Sequence, residues 1–214
     1  MLPYQTSFLR LALANEVLKF GSFTLKSGRV SPYFFNLGRI SSGAAMRELG
    51  RAYAEALSAS GIEYDMLFGP AYKGIPLVTT VAVALADQGR DLPYAYNRKE
   101  AKDHGEGGVL VGAAPKGRVV IVDDVLTAGT ALREAVALLR AAGAEPVAAV
   151  IALDRQEKGP SGASAVQEME RDSGIRVLPL VNVRTLLDFL SQDGADAGTI
   201  AAIQAYQAQY GVSS

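Results

Sequence analysis

Asp123 and Asp124 stand together at the end of the apolar run Val119-Val120-Ile121-Val122, and the chain continues Val125-Leu126-Thr127-Ala128-Gly129-Thr130-Ala131. A buried strand would deliver two carboxylates at its end, and a short Thr/Gly loop would then open a helix. The first turn of a helix carries unpaired amides and the positive end of the helix dipole, which suits a phosphate monoester. Gly129 lets the backbone approach phosphate oxygens, and Thr127 and Thr130 add hydroxyl donors. Two carboxylates beside a phosphate cradle would repel the ligand unless they accept hydrogen bonds from neutral hydroxyls, such as a ribose diol, or face a cation. The same residues would also serve a plain capped helix with a solvated Asp pair. The run is neither a Walker A loop, which needs Gly-Lys-Ser/Thr, nor a Gly-x-Gly-x-x-Gly dinucleotide turn.

Three other segments carry residues of the same kind. Gly69-Pro70-Ala71-Tyr72-Lys73-Gly74 follows an apolar run and precedes a helical pattern, again offering amides, here with one lysine. Taken alone it is a Gly/Pro turn with a surface lysine. Asn97 to Gly108 (NRKEAKDHGEGG) holds Arg98, Lys99, Lys102 and His104 among three glycines, without an apolar anchor. It reads either as a solvated hairpin tip or as a cationic lid able to close over a polyphosphate and exclude water. Phe23-Thr24-Leu25 and Ser31 to Asn36 flank the turn Ser27-Gly28-Arg29 as a small hairpin. Its Phe34 and Phe35 offer a flat face and backbone donors to a planar base, or else fill a mini-core, and Lys26 is available for anionic oxygens. Arg155, just past Leu153, has the reach to meet a carboxylate or carbonyl, or is simply a surface arginine.

The elements needed to hold these groups are visible in the hydrophobic pattern. Met46, Leu49, Tyr53, Ala56 and Leu57 make one helical face that ends at Gly61. Asp65–Gly69 is an apolar strand, and a buried helix follows from Ile75 to about Gln88. Pro93–Asn97 and Arg118–Val122 are further strands. Leu132, Val136 and Leu139 stripe a helix closed by Gly143. Pro146–Leu153 and Arg176–Val181 complete the strands, separated by a helix near Ala165–Arg171, and helices over about Val183–Gln192 and Thr199–Tyr210 finish the chain. Such alternation predicts an α/β fold of βαβ units around a parallel sheet covered on both faces. Ligands of an open α/β sheet bind at the carboxyl ends of its strands, so the loops after Gly69, Asn97, Val122 and Leu153 are the places to look.

Composition narrows the chemistry. The 214 residues include no Cys and one His, which excludes a thiol nucleophile, a zinc–thiolate site, an iron–sulfur cluster and any multi-His metal site. A net charge of −1 gives no drive toward nucleic acid or an anionic membrane. The longest apolar run, Gly74–Ala86, is too short to span a bilayer. Met1–Leu18 has no continuous apolar core followed by a small-residue cleavage site, so a cytoplasmic protein is expected. No repeat or linker divides the chain, and one domain over 1–214 is expected, with a hood of about 1–40 built from the first helix and the hairpin.

The thirteen-residue run Val119–Ala131 resembles the 5-phosphoribosyl 1-diphosphate (PRPP) motif of type I phosphoribosyltransferases. The lid segment, the Lys26–Phe35 hairpin and Asp154-Arg155 occur in the order and spacing of the orotate phosphoribosyltransferase branch of that family. The resemblance runs from the first helix to the last. It implies the type I phosphoribosyltransferase fold with an N-terminal hood and a flexible catalytic loop. It further implies transfer of ribose 5-phosphate from PRPP to orotate, giving orotidine 5′-monophosphate and pyrophosphate, in pyrimidine nucleotide synthesis. Mg²⁺ is implied as a cofactor held largely by PRPP oxygens and water.

Carried over by position, Asp123 and Asp124 would hold the ribose hydroxyls, and Val125, Leu126, Thr127, Ala128, Gly129, Thr130 and Ala131 the 5′-phosphate. Tyr72 and Lys73, with Lys26, would meet the pyrophosphate. Lys26, Phe34, Phe35, Thr127 and Arg155 would bind orotate. The resemblance also implies a homodimer in which Arg98, Lys102 and His104 serve the partner's site while Lys99 stays with its own. In that picture Lys102 and His104 stabilise the departing pyrophosphate and the Asp pair stabilises an oxocarbenium-like ribose. A phosphoribosyltransferase for another base, or a PRPP-sensing regulator without catalysis, stands as the alternative. The first has no need of the Lys26–Phe35 hairpin, and the second has little use for the lid.

Overall fold

A computed structural model describes residues 1–25, 27–102, 108–126 and 129–212. The chain begins with α1 (Pro3–Ala14) and then forms a separate two-stranded antiparallel ribbon, β1 (Leu18–Thr24) and β2 (Val30–Phe35). This is the expected hairpin, but β1 starts at Leu18 rather than Phe23. The register shifts between Phe20 and Phe23, which breaks the period-two pattern that would have marked the strand. The Phe8 and Phe35 rings, 6.3 Å apart, seat the ribbon on α1 and so build the hood.

After a 3-10 turn at Leu37–Arg39, α2 (Gly43–Ala59) opens at Ser42, whose Oγ accepts from the Ala45 amide at 3.2 Å. The alternating units follow: β3 (Met66–Gly69), α3 (Gly74–Asp87), β4 (Tyr94–Lys102), β5 (Gly108–Gly112), β6 (Arg118–Val122), α4 (Thr130–Ala141), β7 (Glu145–Asp154), α5 (Ala165–Ser173), β8 (Arg176–Asn182), α6 (Val183–Gln192) and α7 (Ala197–Tyr210). Six strands form one sheet in the order β5-β4-β3-β6-β7-β8, parallel throughout except for the antiparallel β4–β5 pair.

Alternation along β6 divides the core as a doubly covered sheet requires. Val120 and Val122 pack with Leu67, Val150 and the helices α1, α2, α3 and α6 on one face. Val119 and Ile121 pack with Phe68, Ile151, Leu132, Val136 and Met169 on the other. The expected α/β architecture is present. β4 departs from the expected Pro93–Asn97 by running on to Lys102, and β5 pairs back along it. Charged residues occupy this ribbon, so no apolar alternation announced it.

The position of the site follows from strand order. β3 leads to β4 on one side, whereas β6 lies on the other side of β3, so the order in which strands are added reverses between β3 and β6. The loops leaving β3 and β6 at their carboxyl ends therefore lie next to each other across this switch point.

Candidate active site

Loop 70–73 and the flanking residues 123–126 and 129–132 line a cavity of about 310 Å³, formed by Ala71, Tyr72, Lys73, Asp123, Asp124, Val125, Leu126, Gly129, Thr130, Ala131 and Leu132. Two expected sites, a pyrophosphate loop and a phosphoribosyl loop, are thus one cavity. Lys73 Nζ pairs with Asp124 Oδ2 across it. The Ala71–Tyr72 peptide bond is cis. Gly129 takes φ +69°, a left-handed conformation that glycine adopts at little cost, and it turns the chain into α4 so that Thr130 and Ala131 present the first turn of the helix to the cavity.

The two carboxylates are held differently. Asp123 is 8% exposed and its Oδ1 accepts from the Asp124 amide at 2.9 Å. Its carbonyl accepts from the Tyr53 hydroxyl at 2.9 Å and its amide donates to Val150 O at 3.0 Å. Burial pushes its carboxyl up to about 7, with the neighbouring Asp124 charge adding to the shift and Lys73 opposing it. Asp124 Oδ1 accepts from the Val125 amide at 2.8 Å, which leaves Oδ2 for Lys73. A backbone pinned to β7 on one side and to α2 on the other fixes where both acids point.

Lys99 Nζ stands 4.9 Å from the centre of the Tyr72 ring, so the β4 ribbon reaches the same cavity wall. Pairing with β5 is irregular between Asn97 and Lys102, the stretch that carries Arg98 and Lys99. Asn97, the first residue of the candidate lid segment, makes a contact at the site that residue types alone did not single out. Its Oδ1 accepts from the Ala71 amide at 3.0 Å and ties the start of the lid segment to loop 70–73. A lone polar residue closing the apolar Tyr94-Ala95-Tyr96 was the available signal.

Phe34, Phe35 and Arg155 do not line the cavity. Phe34 is exposed and packs on Phe23 at 5.5 Å between ring centres, while Phe35 turns inward to Phe8. The two rings thus lie on opposite faces of β2 and do not form one platform, because strand neighbours alternate. Arg155 lies 4.2 Å over the Tyr33 ring, and its Nη2 donates to Ser31 Oγ at 3.0 Å, which joins the end of β7 to the hairpin. A bridge between Val125 and Leu153 sets Arg155 beside the phosphate segment. Lys26, His104, Thr127, Ala128 and the Lys102 side chain lie outside the described residues.

Comparison with known proteins adds an independent line. Residues 37–171 match the phosphoribosyl transferase domain. The orotate phosphoribosyltransferase of Saccharophagus degradans is 57% identical over 99% of this chain and 100% of its own length. The enzyme of that name from Pseudomonas aeruginosa is 56% identical over the same shares. Among solved structures, orotate phosphoribosyltransferase from Francisella tularensis superposes with a TM-score of 0.87 at 42% identity, covering 95% of this chain and 98% of that one. Leishmania donovani UMP synthase matches with a TM-score of 0.75 at 27% identity, over 96% of this chain and 42% of that one. A full-length match at such identity, on a fold whose two switch-point loops close one cavity, means that the chain belongs to the phosphoribosyltransferase family, in its orotate phosphoribosyltransferase branch.

Proposed function

We propose that the chain transfers ribose 5-phosphate from PRPP to orotate, releasing pyrophosphate, with Mg²⁺ required. The observation that carries this reading is the junction of the two loops. An amide-rich helix start, two carboxylates and a lysine converge on one cavity sized for a small sugar phosphate. The α4 N-terminus would take the 5′-phosphate, the Asp pair the ribose hydroxyls, and loop 70–73 the pyrophosphate.

The mechanism follows from where charge develops. As the bond from C1 to pyrophosphate breaks, its electron pair leaves with the pyrophosphate and the ribose becomes electron-poor. Orotate N1 then forms the new bond at C1 and gives up its proton to the departing pyrophosphate or to water. Asp123 and Asp124 face the electron-poor ribose, and Lys73 faces the departing oxygens. Substrate hydroxyls entering the site compete with Lys73 for Asp124, so Lys73 is freed for the pyrophosphate as its partner becomes occupied.

Among the described residues no three of His, Cys, Asp or Glu are grouped to hold a metal. The hard oxygen donors of the Asp pair fit a hydrated Mg²⁺ that is bound chiefly through PRPP. When bound, Mg²⁺ would supply neutralisation of charge on the pyrophosphate.

Homodimer formation, with the 97–108 segment shared between subunits, and a cytoplasmic location belong to the same proposal. The contact of Lys99 with Tyr72 of its own chain supports the part of this reading that keeps Lys99 at its own site. No helix among the described residues is long and apolar enough to cross a membrane. The test is an absorbance assay with orotate, PRPP and Mg²⁺, run beside uracil, hypoxanthine and adenine. Loss of orotate signal only with PRPP present is expected; PRPP binding without turnover would favour a regulator, and turnover of another base a different transferase.

A further inference from the structure

We infer that Glu157 is a positioning residue for base recognition: it presets the Arg155 guanidinium so that Nε and Nη2 are held by the protein and Nη1 is left for a carboxylate of the substrate. This rests on the reading of Arg155 as an orotate contact. Arginine carries five N–H donors in a rigid plane. Nε of Arg155 donates to Glu157 Oε1 at 2.7 Å, and Nη2 lies 2.6 Å from the same oxygen while also donating to Ser31 Oγ. Three of the five donors are thereby engaged, and the Tyr33 ring fixes the plane from one side. Among the described residues Nη1 makes no hydrogen bond of good geometry, although the buried Tyr206 hydroxyl on α7 lies against both Arg155 and Glu157.

Glu157 is itself anchored. It bridges to Gly211 beyond α7, with Lys158 N donating to Tyr210 O at 2.7 Å and Val212 N to Gln156 O at 2.8 Å. Gln207 Nε2 donates to Arg155 O at 3.1 Å from the same helix. The segment carrying both residues is therefore clamped by the end of the chain, and the carboxylate has little freedom to follow the arginine elsewhere.

Charge makes the arrangement selective. Arg29 Nη1 stands 3.7 Å from Glu157 Oε2, so two guanidinium groups share one carboxylate. One net positive charge remains, which a single substrate carboxylate neutralises. The Arg155 and Glu157 side chains are only 22% and 15% exposed, so removing Glu157 leaves a poorly solvated cation at Arg155. A freed Arg155 would lose its direction while keeping its charge.

The experiment is a double-mutant cycle on Glu157→Ala and Arg155→Ala, with KM measured separately for orotate and PRPP. Outer partners of ligand-holding groups are commonly worth ten- to a hundredfold, so Glu157→Ala is expected to raise the KM for orotate about tenfold and leave that for PRPP within about twofold. In the Arg155→Ala background the same change should have no further effect on the orotate KM. Glu157→Gln, which keeps an acceptor for Nε, should recover most of the loss and serves if the alanine variant does not fold. Arg29→Ala breaks only the second ion pair and should leave the orotate KM within about twofold. An equal rise in both KM values, or an undiminished effect without Arg155, would overturn the positioning role. An unchanged orotate KM in Arg155→Ala alone would instead overturn the reading of Arg155 on which it rests.

Discussion

Lys73 and Asp124 join the loops of two neighbouring strands across the cavity: Lys73 precedes α3, Asp124 follows β6, and the ammonium meets the carboxylate oxygen that the Val125 amide leaves open. The lysine is 57% exposed and the acid only 10%, so the pair is a mobile cation parked on a fixed anion. Such a pair contributes little to stability, because the exposed partner is solvated and pays entropy to stay. Its value is in the reaction. Lys73→Ala should therefore unfold close to the wild-type Tm but lose about a hundredfold or more in kcat/KM for PRPP, the scale of a removed transition-state donor. A large fall in Tm with modest kinetic loss would mean that the ion pair is structural.

Asp123 carries a pH signature. Burial holds its carboxyl at about 7, whereas the unfolded chain titrates near 4. The folded state thus binds the proton more tightly, so this group subtracts nothing below about pH 4. Its cost grows as pH rises from there to about 7 and then levels, reaching at most about 4 kcal/mol. Asp123→Asn should remove that slope: urea unfolding of the variant should match wild type at low pH and exceed it at pH 8. Activity should move the other way, because an ionised Asp123 is the better acceptor for ribose hydroxyls. Wild-type kcat/KM for PRPP should rise through pH 7, and the asparagine variant should be slow and lack that rise, leaving only the titration of the substrate phosphates near pH 6. A wild-type stability that does not fall between pH 4 and 7 would contradict the raised carboxyl.

What could be read from residues alone, and what could not, divides along physical lines. The Arg118–Val122 strand and the 123–131 segment announced themselves because a fully buried strand must be apolar and a helix start must be turned by Gly and Thr. The meeting of 70–73 with 123–131 depends on strand order, which no local pattern encodes. The β4–β5 ribbon was hidden because its charged residues do not alternate with apolar ones. Glu157 was invisible for a different reason: it lies two residues from Arg155, but its partners Arg29 and Gly211 come from both ends of the chain.

The close approach of the two loops depends on Gly74. A Cβ there would lie 2.6 Å from Pro70 Cδ, 2.8 Å from Gly69 C and 2.9 Å from Val122 O, distances at which backbone must move. Val122 immediately precedes the Asp pair, so relief of the clash would push loop 70–73 away from β6. Gly74→Ala should cost about 1–3 kcal/mol in urea unfolding, the usual penalty of overpacking. It should also lower kcat/KM for PRPP more than tenfold, because misplaced groups lose catalysis steeply. Wild-type kinetics in a destabilised variant would show that the cavity tolerates separation of its walls.

The shared 97–108 segment makes the strongest quantitative demand. If Lys102 acts on the partner's pyrophosphate, Lys102→Ala should lower kcat about a hundredfold while shifting the KM for PRPP far less, since the donor matters as charge develops. Asp124→Ala should be inactive through its own subunit's cavity. In a mixture of the two variants each mixed dimer then holds one site with both defects and one with neither. After random exchange of equal amounts, half of the dimers are mixed and about a quarter of wild-type activity should return. If Lys102 served its own subunit, every site would carry one defect and no activity would return. Subunit exchange can be followed independently by tagging one variant, so a silent mixture with proven exchange would exclude the shared site and leave Lys102 acting in its own chain.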